Sequence, residues 1–122
     1  MKSFKIGKVS VGDDYPPVII VELGINHNGN LDMAIEMVDK AIDAGATIIK
    51  HQTHVVEDEM SYEAKKIIPA NSSKTIFDII KKCALSEKDE KKLMNHIKSR
   101  KKIFISTPFS RAAADRLGKF NI

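Results

Sequence analysis

Val18-Ile-Ile-Val-Glu-Leu-Gly-Ile-Asn-His-Asn-Gly29 is the stretch of sequence that decides the fold. Its branched apolar start is typical of a strand in a parallel sheet that helices cover. If side chains alternate along this strand, one face becomes polar toward the carboxyl end and carries Ile20, Glu22, Gly24 and Asn26. Ligands of parallel α/β folds bind at the carboxyl ends of strands, so Glu22 is a candidate site residue.

Strands and helices alternate along the chain. Residues 4–12 alternate around Gly7 and predict a hairpin, which with its linker forms a region 1–17 before the main region 18–122. The first strand, Val18 to Ile25, is followed by a helix that Asn30 caps and that Gly45 ends. Strands at Ile48–Thr53 and Ile103–Pro108 come next, and the strand-helix-strand order predicts a right-handed crossover.

A long insertion, residues 54–85, separates the second strand from the next helix. We expect a solvated acidic turn at Glu57-Asp-Glu59, a helix from about Ser61 to Ile68, and an apolar-periodic segment between Ile76 and Cys83. Two capped helices follow the insertion. Ser86 begins one that continues to about Arg100, and Ser110 begins one that Gly118 ends.

The composition limits the possible function. A chain of 122 residues is one domain at most and is short for a complete (β/α)8 barrel, which needs about 250. The net charge of +4 is spread over lysine pairs and aromatics are 6% of the chain, so we predict no nucleic-acid partner. No apolar run could span a membrane, the amino terminus lacks a signal peptide's apolar core, and Cys83 is the single cysteine. These features predict a cytoplasmic protein without a membrane partner.

The three predicted strands have the same pattern, with apolar residues first and polar residues at the carboxyl end. The polar residues are Glu22, then Lys50 with Gln52, then Thr107. A carboxylate, an ammonium and a hydroxyl that face one barrel interior could bind an anionic substrate and handle protons. The alternative is a buried Lys-Glu ion pair with no catalytic task, and spacing alone leaves both readings open.

The remaining polar residues carry weaker signals. His27 and His54 lack the spacing of metal ligands, and such histidines are more often hydrogen-bonded structural residues. We expect His51 to face a helix, and Asn71 to form a turn first and contact a substrate second.

Five motifs in order carry a family resemblance: Glu22-Leu-Gly-Ile-Asn-His-Asn-Gly29, Gly45-Ala-Thr-Ile-Ile-Lys-His-Gln-Thr53, Val56-Glu-Asp-Glu-Met-Ser61, Ile68-Pro-Ala-Asn71 and Ile105-Ser-Thr-Pro-Phe-Ser-Arg-Ala-Ala-Ala114. Together they resemble the amino-terminal part of bacterial N-acetylneuraminate (sialic acid) synthases. The Glu-x-Gly-x-Asn-His and Ser-Thr-Pro-Phe patterns also belong to the related legionaminic and pseudaminic acid synthases. Lys50-His-Gln-Thr-His54 followed by Val56-Glu-Asp-Glu-Met-Ser61 is what points to the N-acetylneuraminate branch.

The resemblance implies a partial (β/α)8 TIM barrel: a hairpin and the first three βα units. It implies condensation of phosphoenolpyruvate with N-acetylmannosamine, in a homodimer when full length, for carbohydrate biosynthesis such as sialylation of capsule or lipooligosaccharide. The family uses a divalent metal of the manganese or magnesium type, whose ligands are expected outside this chain.

The family's roles for individual residues carry over by position. Glu22 is implied as the catalytic carboxylate, Lys50 and Thr107 as phosphoenolpyruvate-binding residues, and Gln52 and Asn71 as sugar-binding residues. Asn26 and His27 are implied only as contributors to the first loop. We expect the 122-residue chain, whether an excised piece or a truncated product, to be inactive alone. A synthase of a related nonulosonic acid and a non-catalytic assembling half-barrel are the alternatives.

Overall fold

A computed structural model describes residues 2–120 and 122 of the chain. Met1 and Asn121, which fall in the predicted regions 1–17 and 18–122, lie outside the described residues. Three strands, β3 (Ile20–Gly24), β4 (Ile48–Thr53) and β5 (Ile103–Pro108), form a parallel sheet in the order β3-β4-β5. Helices connect successive strands, so the predicted α/β class and the partial barrel architecture are confirmed.

The amino-terminal residues form the predicted hairpin. Strands β1 (Phe4–Ile6) and β2 (Val9–Val11) pair antiparallel, and Gly7 turns the chain between them with a φ of +57°. A side chain at Gly7 would approach Cδ1 of Ile103 to 3.2 Å. The turn of the hairpin therefore contacts the beginning of β5, at the amino-terminal end of the sheet.

The helices are α1 (Leu31–Asp43), α2 (Val56–Glu59), α3 (Ile76–Cys83), α4 (Glu87–Ser99) and α5 (Arg111–Lys119), with a 3-10 turn at Ala64–Lys66. The predicted caps are present. Oδ1 of Asn30 and Oγ of Ser86 and Ser110 accept hydrogen bonds from backbone N–H groups three residues later, at 2.9, 3.1 and 3.1 Å. Each such cap stabilises a helix by about 1 kcal/mol.

The apolar core lies between the sheet and the helices. Ile49 and Phe104 point from the sheet into it, and α1 and α4 supply most of the remaining side chains: Ala34, Val38, Leu93, Met94 and Ile97. Ile48, next to Ile49, is also buried but is not part of this cluster, because alternate side chains point to opposite faces. The face that Ile48 shares with Glu22 is the open face of the sheet, where Ile20 is 44% exposed.

The bounds of two elements differ from those predicted from the sequence. Strand β3 covers Ile20–Gly24 rather than Val18–Ile25, because its partner β4 begins at Ile48, which pairs with Ile20. Helix α5 continues through Gly118, because a helical glycine costs only about 1 kcal/mol and the core holds Leu117 and Phe120 on either side of it.

The insertion also differs from its prediction. The acidic segment expected as a solvated turn is helix α2, in which Val56 is buried. The helix expected from Ser61 to Ile68 shortens to the 3-10 turn at Ala64–Lys66. Helix α3 forms where the apolar periodicity indicates a segment, with Thr75 as its N-cap. No helix among residues 2–120 and 122 has the length and apolar character needed to cross a membrane.

Candidate functional site

The open face of the sheet brings the four strand residues of the predicted site together. Glu22 is the register partner of Lys50, and Gln52 is the register partner of Thr107. Register partners in a parallel sheet point to the same side, and Lys50 and Gln52 are two positions apart in β4. Glu22, Lys50, Gln52 and Thr107 therefore share one face at the carboxyl end of the sheet, as the spacing predicts.

Glu22 is held by two nitrogen donors from β4. Nζ of Lys50 donates to Oε2 at 3.0 Å, and Nε2 of Gln52 donates to Oε1 at 2.8 Å. The hydrogen bond from Gln52, followed by that from Lys50, lowers the pKa of Glu22 below its ordinary value. Glu22 is thus an ionised carboxylate at neutral pH and is suited to accept hydrogen bonds or a proton rather than to act as a general acid.

Water reaches this ion pair. The side chains of Lys50 and Glu22 are 33% and 43% exposed. In the part of the protein that the structure describes, the pair is thus not the buried structural ion pair that the spacing left as the alternative. An ammonium, a carboxylate, an amide and a hydroxyl instead line an accessible surface, which can bind an anionic substrate beside a group that accepts hydrogen bonds.

The loop after β3 does not continue the alternation expected from the sequence. Gly24 has a φ of +57°, and the register of β3 against β4 shifts between Glu22 and Gly24. Such a bulge re-aims the residues that follow it. Nδ2 of Asn26 donates back to the carbonyl oxygen of Leu23 at 2.9 Å, so Asn26 closes the turn and does not extend the strand.

His27 lies on the helix side of the sheet. The residue is 1% exposed, and its ring stacks on the ring of His51 with centroids 5.4 Å apart. Burial, reinforced by the neighbouring His51, lowers the pKa of His27 to about 4. The prediction that His51 faces a helix is confirmed, because its ring lies against Glu90 of α4.

A buried polar cluster fills the helix side behind the site. Glu90 of α4 lies within hydrogen-bond distance of Nδ1 of His51 at 3.2 Å, accepts a bond from the hydroxyl of Thr53, and accepts from Nη1 of Arg116 at 3.2 Å. Burial alone raises the pKa of Glu90, but the hydrogen bonds from His51, Thr53 and Arg116 outweigh it and leave that pKa below its ordinary value. Oγ of Ser106 lies 2.7 Å from the Thr53 hydroxyl and extends the cluster to β5.

Asn71 lies apart from the strand residues. It is exposed in the turn that follows Pro69, and its side chain makes no hydrogen bond to another described residue. Its predicted contact with a sugar stays a prediction. The open-face hydroxyl of Thr107 is likewise without a hydrogen bond within residues 2–120 and 122, so the same holds for its contact with phosphoenolpyruvate.

Sequence reasoning did not select His54 or Glu59 for the site. The ring of His54 lies between Gln52 and Glu59, at 3.2 Å from Oε1 of Gln52 and 2.8 Å from Oε2 of Glu59. The signal that could have found His54 is its spacing, because residues two apart at the end of a strand point the same way. Glu59 had no such signal, since its position depends on the fold of α2.

The ligands of the divalent metal that the resemblance implies are expected outside this chain. No group of three or more His, Cys, Asp or Glu side chains among residues 2–120 and 122 is arranged to hold a metal ion. Divalent metals bound by proteins usually require several such ligands. The chemistry of the open face therefore depends on its own side chains.

Comparison with known proteins gives consistent relatives. The sequence model described as the NeuB family matches residues 37–122. The spore coat polysaccharide biosynthesis protein SpsE of Bacillus subtilis is 32% identical over 119 residues, which are 96% of this chain and 32% of that protein. An N,N'-diacetyllegionaminic acid synthase of Campylobacter jejuni is 31% identical over 109 residues, 86% of this chain and 33% of that protein.

Solved structures agree with the sequence comparisons. The N-acetylneuraminic acid (sialic acid) synthetase of Leptospira borgpetersenii superimposes with a TM-score of 0.80 at 26% identity, over 99% of this chain and 39% of that chain. The structure of Bacillus subtilis SpsE gives a TM-score of 0.69 at 30% identity, over 98% of this chain and 31% of that chain. The chain spans about a third of the length of the curated relatives it matches.

Proposed function

We start from the fact that the chain belongs to the NeuB family, and we propose that it supplies the phosphoenolpyruvate-binding part of a sialic acid synthase. The reaction joins C3 of phosphoenolpyruvate to the aldehyde carbon of N-acetylmannosamine, consumes one water molecule and releases phosphate. The single observation that carries the proposal is Glu22 held between Lys50 and Gln52 on the face that Thr107 shares.

Each side chain of the open face suits one task in this reaction. The ammonium of Lys50 and the hydroxyl of Thr107 bind the phosphate and carboxylate oxygens of phosphoenolpyruvate, as cations and hydroxyls commonly bind such anions. The carboxylate of Glu22 orients the reacting carbons and accepts a proton or hydrogen bond near them. Gln52 and, from the insertion, Asn71 hydrogen-bond the sugar.

The experiment measures phosphate release by the complete product of the gene that encodes this chain. With phosphoenolpyruvate, N-acetylmannosamine and manganese, we expect phosphate and sialic acid in equal amounts. Lys50→Ala should lower kcat/KM for phosphoenolpyruvate by about 100-fold, because a charge-assisted contact to the anion is lost. Lys98→Ala, an exposed lysine on α4, is the matched control and should change it less than about twofold. Equal activity of the Lys50 and Lys98 variants would remove Lys50 from the site.

A second candidate differs in its sugar. Two of the matching relatives, from Campylobacter jejuni and Legionella pneumophila, are N,N'-diacetyllegionaminic acid synthases. The same experiment with the sugar precursor of that acid in place of N-acetylmannosamine distinguishes the two. Faster turnover of that precursor would assign the protein to the legionaminic acid branch.

A non-catalytic role is the third candidate. The open face leaves Ile20 exposed, and β3 and β5 are the outer strands of the sheet within the described residues, so a second copy could pair with either edge. A mass above one chain in light scattering, with no phosphate released from either substrate pair, would favour this role.

A further inference from the structure

His54 is fixed on three sides at the end of β4. Its side chain is 3% exposed, and its ring stacks on the ring of Phe109 with centroids 4.5 Å apart. Nδ1 lies 2.8 Å from Oε2 of Glu59, and Nε2 lies 3.2 Å from Oε1 of Gln52. A ring confined in this way can neither turn nor exchange its partners for water.

The contacts of Gln52 determine which way its amide points. Its nitrogen lies 2.8 Å from Oε1 of Glu22, and an ionised carboxylate can only accept. The –NH2 group of Gln52 therefore faces Glu22, and its carbonyl oxygen faces His54. Because that oxygen also can only accept, Nε2 of His54 carries a hydrogen.

The other ring nitrogen faces a second acceptor. Oε2 of Glu59 approaches Nδ1 of His54, and the side chain of Glu59 is 9% exposed. If Glu59 is ionised and Nδ1 carries no hydrogen, two lone pairs meet 2.8 Å apart in a place that water scarcely reaches. A hydrogen on Nδ1 removes this repulsion. Both ring nitrogens then donate, and His54 is an imidazolium paired with Glu59.

We propose that the His54-Glu59 ion pair is a positioning device that locks the amide of Gln52 as a donor. One hydrogen of the Gln52 nitrogen is bound to Glu22, and the other is free to meet a substrate on the open face. The site therefore selects a sugar that presents an acceptor oxygen, such as an acetamido carbonyl, at that point. The substrate assignment rests on the proposed function, whereas the hydrogens on His54 do not.

Without a hydrogen on Nε2 of His54, the present orientation of the Gln52 amide would bring its carbonyl oxygen against a ring lone pair, and the flipped orientation would compete with it. The flipped orientation places its carbonyl oxygen against the carboxylate of Glu22, where the two acceptors repel. Gln52 would then leave Glu22, and its donor would no longer be aimed at the substrate. The segment Gln52-Thr-His54 is therefore one functional unit, in which His54 affects the substrate through Gln52.

The first test detects the ring hydrogens directly by NMR of 15N-histidine-labelled protein. The sequence has four histidines, so the His54 signals can be assigned by single substitutions. We expect two N–H groups on His54 at neutral pH in the unmodified protein. Glu59→Gln should leave one, on Nδ1, because the amide oxygen of glutamine accepts that hydrogen while no carboxylate remains to stabilise a second one on Nε2. Glu57→Gln is the matched control, since Glu57 is 67% exposed and bonds to Lys65 and Lys81 instead, and it should keep both.

Two NMR outcomes would overturn the proposal. One is a single ring hydrogen on His54 in the unmodified protein, which would mean that the ring is neutral. The other is an identical pattern in the unmodified and Glu59→Gln proteins. Neither outcome depends on whether the protein condenses phosphoenolpyruvate with a sugar.

The second test separates positioning from stability in the complete gene product. Glu59→Gln should raise KM for the acceptor sugar about 10-fold, while kcat and KM for phosphoenolpyruvate change less than about twofold. A general loss of structure would lower kcat and affect both substrates. An unchanged KM for the sugar in an active protein would overturn the positioning role, whereas an unmodified protein that releases no phosphate would overturn the proposed function alone.

Discussion

The two faces of the sheet each carry a carboxylate held by nitrogen donors, and they differ in how far water reaches it. Glu22 on the open face has a side chain that is 43% exposed, and Glu90 on the helix side has one that is 1% exposed. Hydrogen bonds lower the pKa of both carboxylates. For Glu90 they must first overcome burial, which acts in the opposite direction.

This difference separates a site from a structural support. A carboxylate in contact with water can exchange its partners for a ligand at little cost, because exposed ion pairs contribute little to stability. A buried carboxylate cannot, because each group that bonds to it would be left without a partner in a place that water does not enter. The helix side therefore gives structural support, and the open face is the candidate site.

Removal of the buried carboxylate is expected to have the largest effect on stability. Glu90→Ala leaves His51, Thr53 and Arg116 without their shared acceptor and should lower the free energy of unfolding by about 3–5 kcal/mol. Urea denaturation measures this change. Glu87→Ala on the same helix is the control, because Glu87 is 55% exposed and lies 3.9 Å from Arg116. It should cost less than about 1 kcal/mol. Similar losses of unfolding free energy in the two variants would contradict the difference between the two faces.

A pH dependence should come from His27 on the same helix side. Its pKa falls from 6.5 to about 4 on folding, so the unfolded chain binds a proton that the folded chain does not. Stability therefore decreases as the pH falls from about 6.5 to about 4, by roughly 3 kcal/mol in total. Glu90 adds its own loss only as the pH falls through its lowered value, below 4.5.

Unfolding in urea at several pH values across this window tests the prediction. His27→Gln should flatten the decrease, because glutamine binds no proton. His96→Gln is the control, since His96 is 26% exposed in a pair with Asp39 on the helix surface, and it should retain the decrease. An equal slope in the His27 variant and the unmodified protein would refute the assignment.

The smallest stability effect is expected on the open face. Glu22→Gln, Lys50→Met and the double variant form a thermodynamic cycle that measures the coupling between the two side chains. We expect a coupling close to experimental error, far below that of Glu90 with Arg116 measured in the same way, because water screens the exposed pair. A coupling as large as that of the buried pair would restore the structural ion-pair interpretation of Glu22 and Lys50.

Much of the local structure could be predicted from the sequence. The bounds of β4 and β5 and the caps at Asn30, Ser86 and Ser110 agree with the structure. Caps and strand periodicity depend on residues within a few positions, so the sequence displays them directly. The errors lie where contacts between distant residues decide the local conformation. Pairing with β4 produces the bulge at Gly24, and packing in the core extends the end of α5.

The sequence by itself determined the order of strands and helices and the face to which each strand residue points. From the period of two it places Lys50 and Gln52 on one face of β4, whereas the pairing register of the strands puts Glu22 and Thr107 on that same face. It could not determine which carboxylate is sealed from water, or that His54 joins Gln52 to Glu59. Burial and hydrogen-bond partnership arise when elements far apart in the chain pack together, as α4 and α5 do around Glu90 and Arg116, so only the tertiary structure decided them.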